Sequence, residues 1–251
     1  MGVQNRVALV TGSGSGLGET TVMMLAQNGA KVVVNDVDQA KVDKVVKKIK
    51  SAGGEALGVA ADISKKDQVQ DLVQKIVKQF GTVDILVNNA GIARDKGLLK
   101  ITEEDWDIVL DVNLKGPFLL SQTVVPYMKE RKFGRIVNIS SRAYLGWPTQ
   151  ANYASSKGGL VSFSRTLALE LAKHQITVNC IAPGLIQTPL YDALPDNIKE
   201  NLMKSQPTKT IGKPEDIGYG VLFFADDEAD YVTGQTIFIC GGKSVLSSLS
   251  V

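Results

Sequence analysis

The chain has 251 residues, 44% hydrophobic and 22% charged, with a formal charge of +2, two cysteines and one histidine. Such a balance suits a chain that buries its own core, gives no support to a polyanion-binding surface, and leaves too few Cys and His for a zinc site or a disulfide framework. No apolar run approaches the ~18 residues of a membrane span, and residues 1–10 lead from a short polar start straight into a strand-like run, so a soluble, cytoplasmic chain without a leader is expected.

Short apolar runs rich in β-branched residues recur at 7–10, 32–34, 57–60, 85–87, 136–139, 176–181 and 236–239. Between them lie segments of helical spacing. Val42, Val45, Val46 and Ile49 make one face, and Val69, Leu72, Val73, Ile76, Val77 and Phe80 another. Strands alternating with helices predict a parallel sheet covered on both sides, and the unbroken alternation predicts one doubly wound α/β domain over 1–251.

Directly after the first run comes Thr11-Gly12-Ser13-Gly14-Ser15-Gly16-Leu17-Gly18, leading into a helix-like segment. Leu17 stands where GxGxxG would place its third glycine, yet a glycine-rich strand-to-helix turn still lets backbone amides approach a pyrophosphate. No GK[ST] follows, which excludes a Walker A loop. The second run ends in Asp36, eighteen residues after Gly18. A carboxylate there can accept from both hydroxyls of an adenosine ribose and repels a 2′-phosphate, so NAD is expected over NADP.

Further along, Ser64 reads as a helix cap, and Thr102 with Asp105 as the start of a long helix. Trp106 and Phe118 in that helix read as core. The helices around 106–129 and 153–173 carry apolar residues on more than one face, among them Val124, Val125, Leu160, Phe163 and Leu167, which predicts cover by further copies of the chain. His174 reads as a cation at a helix C-terminus. The Pro-punctuated stretch 187–214 is the one long irregular segment, of a length that lids and binding loops have.

Tyr153 and Lys157 are four apart in a helical segment, so both leave one face. A phenol of pKa ~10 is a poor base at neutral pH, and a neighbouring ammonium can lower it by ~1 to 3 units, making Tyr153 a usable acid/base.

A set of ordered motifs spans essentially the whole chain. Thr11, Gly12, Gly16 and Gly18 spell TGxxxGxG, and Asp62 follows the third run. Asn88-Asn89-Ala90-Gly91 follows the fourth, Asn113 lies in the long helix, and Ser140-Ser141 end the fifth. Tyr153 to Lys157 spells YxxxK, and Pro183-Gly184 follow the sixth. In these the chain resembles the short-chain dehydrogenase/reductase family, in its compact single-domain branch near 3-oxoacyl thioester reductases.

The resemblance implies a Rossmann-type, mainly parallel seven-stranded sheet, with 187–214 as a substrate loop. It implies hydride transfer between a nicotinamide and a carbonyl carbon, with Tyr153 moving the hydroxyl proton. Lys157 would hold the nicotinamide ribose and depress the phenol's pKa, and Asn113 would anchor a proton-relaying water. The family's serine lies thirteen residues before the tyrosine, which counts back to Ser140, whereas aligning the strand ends selects Ser141, a spacing of twelve. Strand alternation favours Ser141 as catalytic.

The cofactor set carried over is Gly12, Ser15, Gly16, Leu17, Gly18, Asp36, Asp62, Ile63, Asn89, Ala90, Gly91, Tyr153, Lys157, Pro183, Gly184, Ile186 and Thr188. The substrate set is Ser141, Tyr144, Trp147, Leu185, Leu190, Tyr191 and Leu194, and no metal is implied. This mainly apolar lining suits a hydrophobic or cyclic ketone or secondary alcohol. An inward Arg94 or Arg142 would instead favour a thioester-linked acyl group. A catalytically silent dinucleotide-binding sensor or scaffold is the competing class, and relatives commonly form homotetramers.

Overall fold

The computed structural model describes residues 2–192 and 194–245. Seven strands, β1 (Val7–Val10), β2 (Lys31–Asp36), β3 (Ala56–Ala60), β4 (Ile85–Asn88), β5 (Gly134–Ile139), β6 (Ile176–Pro183) and β7 (Thr236–Ile239), form one sheet in the order β3-β2-β1-β4-β5-β6-β7. Every pairing is parallel. The strands match the apolar runs, lengthened by a residue or two where Asp36, Gly134 and Pro183 are still in register.

Two cores sandwich the sheet, and strand alternation assigns residues to them. In β1, Ala8 and Val10 join α1 (Gly16–Gln27), α2 (Gln39–Ser51) and α9 (Pro214–Ala225) on one side. Val7 and Leu9 join α3 (Lys66–Phe80), α5 (Gly116–Arg131) and α6 (Ala151–Leu171) on the other. Fully burying a Leu, Ile or Phe side chain contributes about 1.5–3 kcal/mol, so these two layers dominate the stability. The strand order reverses between β1 and β4. Ligands of open α/β sheets bind outside the strand C-termini at such a switch point.

Several local expectations are corrected. The helix expected to run unbroken through 106–129 is α4 (Glu103–Leu110) and α5 joined by a π turn over Asp111–Lys115. Thr102 and Asp105 do make a capping box, but Ser64 does not cap: Lys65 holds that place without a side-chain bond, and the Ser64 amide donates to Asp62 Oδ1 at 2.9 Å. Trp106 and Phe118 are not core, being 36% and 43% exposed, whereas Val124 and Leu160 are fully buried. His174 sits in a 3-10 turn after α6, where desolvation and then Lys129 and Lys173 hold its pKa below the usual value. These surroundings disfavour the expected helix-end cation. The stretch 187–214 is not irregular throughout, since it holds α7 (Pro189–Asp192) and α8 (Asp196–Lys204).

Among the described residues, no helix is long and apolar enough to cross a membrane.

Candidate active site

The glycine turn is fastened to the end of β4 before it reaches α1. Thr11 Oγ1 accepts from the amides of Asn89 at 3.1 Å and Ala90 at 3.0 Å, and Asn89 Nδ2 donates to Thr11 O at 2.8 Å. Gly12 is left-handed (φ +60°), and a Cβ there would lie 2.8 Å from Ala90 Cα. A Cβ on Gly18 would collide with the Gly12 carbonyl and the Asn89 amide. Side chains are thus excluded where the turn passes β4. Ser15 caps α1 without a side-chain bond, so the first-turn amides of a twelve-residue helix face the crevice with the positive end of its dipole.

From this turn a groove of about 530 Å³ runs along the strand ends. Gly12, Ser15, Leu17, Gly18, Asp36, Asp62, Ile63, Asn89, Ala90 and Gly91 line it, and Arg94 stands at its wall. Gly16 opens α1 beside them. Asp36 ends β2 with its carboxylate accepting from Gly14 N at 3.3 Å and Asp38 N at 3.2 Å, an anchored acceptor at the far end of the groove. Free helix-end amides, a cradle that Cβ atoms would fill and a carboxylate at one end fit a dinucleotide.

Two serines follow directly after β5, outside the lining of this groove. The Ser140 hydroxyl donates to Lys157 O at 2.8 Å and is buried. The Ser141 hydroxyl accepts from Ala143 N at 3.1 Å and acts on the Tyr153 phenol, lowering its pKa. The structure therefore pairs Ser141, not Ser140, with the tyrosine.

α6 brings Tyr153 and Lys157 to one face, with Lys157 Nζ 5.8 Å from the ring centroid. The ammonium does not act on the phenol as expected. It donates to Ile139 O at 2.8 Å, and burial pushes it down to about 8. Burial also holds the phenol above its usual value, the Ser141 hydrogen bond opposing and Asp95 adding to the rise. In this state the partner that lowers the phenol's pKa is Ser141 rather than Lys157.

Asn113, fully buried in the π turn, spends its amide on protein. Oδ1 accepts from Ile92 N at 2.8 Å, and Nδ2 donates to Ile92 O at 2.9 Å and Ser156 Oγ at 3.1 Å. The side chain thus clamps the segment after Gly91. A Cβ on Gly91 would lie 3.2 Å from both Asn113 Oδ1 and Lys157 Nζ, so the groove, the clamp and the lysine converge there.

Other expected residues lie apart from the groove. Pro183 ends β6, and Gly184 packs on Cys240, where a Cβ would come within 2.7 Å of Cys240 Cα. Leu185 and Ile186 line a separate cavity of about 370 Å³ with Gln206, Thr208 and Cys240. Thr188 Oγ1 accepts from Tyr191 N at 3.3 Å. Tyr144 stacks on Phe238 at 5.7 Å. Trp147 is half exposed with the Arg142 guanidinium 5.1 Å from its ring centroid, and Tyr191 and Leu194 are half-buried. The Leu190 side chain lies outside the described residues.

Sequence reasoning missed Asn152, a fully buried amide beside the tyrosine. Its signal was a polar stripe, Asn152, Ser156 and Ser164, on the buried face of α6.

The family profile described as enoyl-(acyl carrier protein) reductase matches residues 12–244. The (2S)-[(R)-hydroxy(phenyl)methyl]succinyl-CoA dehydrogenase subunit BbsD of Thauera aromatica is 49% identical over 247 residues, 98% of this chain and 100% of its own. The 3-oxoacyl-[acyl-carrier-protein] reductase FabG of Thermotoga maritima is 43% identical over 243 residues, 96% of this chain and 99% of its own. Among solved structures, levodione reductase superposes with a TM-score of 0.92 at 33% identity, covering 96% of this chain and 98% of its own.

Proposed function

The chain belongs to the short-chain dehydrogenase/reductase family and is an oxidoreductase, and from that premise we propose that it interconverts a secondary alcohol and a ketone on an acyl thioester, with NAD as cofactor. The carrying observation is Ser141 acting on the Tyr153 phenol, with Lys157 Nζ beside Gly91 in the wall of a groove that also holds the Asp36 carboxylate. The names of the two curated relatives place a hydroxyl on a CoA thioester and an oxo group on an acyl-carrier-protein thioester. Arg94 at the groove wall supports the same class, since a guanidinium suits the phosphates of such carriers. The half-exposed Leu145 and Trp147 and the likeness to levodione reductase favour a second reading, a hydrophobic or cyclic ketone.

A nicotinamide dinucleotide, when bound, supplies or accepts the hydride. The chain's own work is proton transfer and positioning. In reduction the Tyr153 hydroxyl gives its proton to the carbonyl oxygen, and in oxidation the phenolate takes the proton of the substrate hydroxyl. Ser141 bonds the phenol and eases its ionisation. Lys157 adds positive charge next to Gly91, where the nicotinamide ribose would lie, and Asn113 holds the backbone after Gly91. Asp36 would accept from the adenosine ribose hydroxyls and repel a 2′-phosphate.

The working form we propose is a cytoplasmic homotetramer of one-domain subunits, with 187–214 bordering the substrate. Exposed Trp106, Ile108 and Phe118 support shared faces, and a monomer mass of 26.9 kDa in light scattering would refute assembly. Function is tested by kcat/KM with NADH and NADPH against acetoacetyl-CoA, a cyclic diketone and an open-chain sugar. NADH with the thioester is the expected best pair. Preference for NADPH removes the cofactor assignment, best turnover on the diketone moves the reading to cyclic ketones, and best turnover on the sugar removes both.

A further inference from the structure

Asn152 precedes the reacting tyrosine and has no exposed surface. Its side-chain amide joins three pieces of backbone. Oδ1 accepts from Tyr153 N at 2.8 Å, while Nδ2 donates to the carbonyls of Arg94 at 3.2 Å and Asp105 at 3.1 Å. Gln150, the N-cap of α6, offers no side-chain cap to this turn, so the Tyr153 amide donates to the neighbouring Asn152 Oδ1 instead.

Two further ties bind the same strip of chain. The Lys96 amide donates to Thr149 O at 2.9 Å, and Gln150 Nε2 donates to Asp95 Oδ2 at 2.7 Å. Thr149 holds its carbonyl there with φ +69°, a left-handed conformation costly for a β-branched residue. Residues 94–96, which continue the groove wall from Arg94, are thus fastened to 149–152 at three consecutive positions, and of the side chains involved only Asn152 is buried.

We propose that Asn152 is a positioning residue for the reaction, locking the groove wall at Arg94–Lys96 to the first turn of the tyrosine helix and so holding the phenol beside Ser141. The inference rests on Tyr153 being the acid/base. An isolated fastening of the wall would need no bond to the Tyr153 amide, and an isolated cap would need none to Arg94. One amide makes both, so displacement of the wall displaces the helix turn. Small shifts in reacting geometry are costly in rate, about a hundredfold for 1 Å.

Two substitutions test this. Asn152→Asp keeps the shape and the acceptor for Tyr153 N while turning the donor into an oxygen facing two carbonyls. Asn152→Ser is milder, too short to reach both carbonyls. The expected result is a kcat at least about tenfold lower, as a displacement of a few tenths of an ångström or more would give, with the Kd for NADH unchanged. The pH limb of alcohol oxidation should also move to higher pH, in the direction of Ser141→Ala, because a displaced phenol loses that hydrogen bond.

Wild-type kcat and an unmoved pH limb in folded Asn152→Ser, whatever its Tm, would make the residue merely structural and overturn the proposal. Amide hydrogen exchange on the unaltered protein decides the matter even if both variants fail to fold: Tyr153 and Lys96 should exchange through one shared opening, and a freely exchanging Lys96 beside a protected Tyr153 overturns the coupling. Tyr153→Phe separates the two readings. If that variant stays active, the acid/base assignment has failed; if it is inactive while Asn152→Ser is normal, the positioning role has.

Discussion

The groove proposed for the cofactor and the side proposed for the substrate are built on opposite principles. In the groove, Thr11, Asn89 and Asp36 are bonded to backbone, and Gly12 and Gly18 fit spaces that admit no side chain. On the substrate side, Leu145 and Trp147 stand half exposed, and α8 buries none of its residues. A dinucleotide is one fixed shape that backbone can be moulded around, while substrate choice is left to side chains that alter without disturbing the sheet.

The junction of the two regions gives the sharpest test. Tyr153→Phe removes one hydroxyl and should lower kcat by at least about a hundredfold, within the 10²–10⁴ that positioned acid/base groups contribute, with NADH binding retained. If more than about a tenth of the activity survives, less than ~1.4 kcal/mol of barrier rests on that hydroxyl, and the division into a binding groove and a reacting end fails.

Within the groove, Asp36→Ala should cut the NADH over NADPH preference by about tenfold or more, because like-charge repulsion at a contact costs several kcal/mol. Cofactor titrations of both proteins check this, and an unchanged ratio would show that the strand-end carboxylate does not read the ribose.

Ser141→Ala should lower kcat by about tenfold, since one neutral hydrogen bond is worth ~1 kcal/mol or somewhat more. The sign of its pH effect follows from the bond's direction: the Ser141 hydroxyl lowers the Tyr153 pKa, so its loss raises it and the oxidation limb shifts to higher pH. Ser140→Ala should leave that limb in place and lower Tm, because its hydroxyl serves the Lys157 carbonyl. The opposite assignment in pH-rate profiles would restore the thirteen-residue spacing.

Smallest is Trp147→Ala, expected to change the ketone KM by a few-fold with NADH binding intact, the rough measure of a partly exposed contact. A large fall in NADH affinity would erase the contrast between the two regions.

The same contrast explains what could be read before the fold was seen. The apolar runs are set by backbone periodicity, so the strands were legible, and the ordered motifs supplied the groove residues through the family resemblance. Trp106 and Phe118 misread as core because residue type was the only ground for the reading, and a large aromatic side chain does not by itself say which face of its helix is covered. The stacking of Tyr144 was not legible, because its partner, Phe238, lies ninety-four residues away. Nothing local in the sequence announces that pairing. The Tyr153 pKa misread because spacing brings Lys157 near without telling that its ammonium donates to Ile139.

Lys157 has a further consequence, for stability rather than rate. Its ammonium is buried at 3% exposure and titrates near 8, against an ordinary 10.5. Between those values the unfolded chain binds the proton and the folded chain has released it, so by proton linkage this group's contribution to stability rises with pH across that window. Below about 8 both states are charged, and the folded one bears the full desolvation penalty. At neutral pH the residue set at the heart of the reaction therefore works against the fold that carries it, and the two packed layers around the sheet must outweigh it.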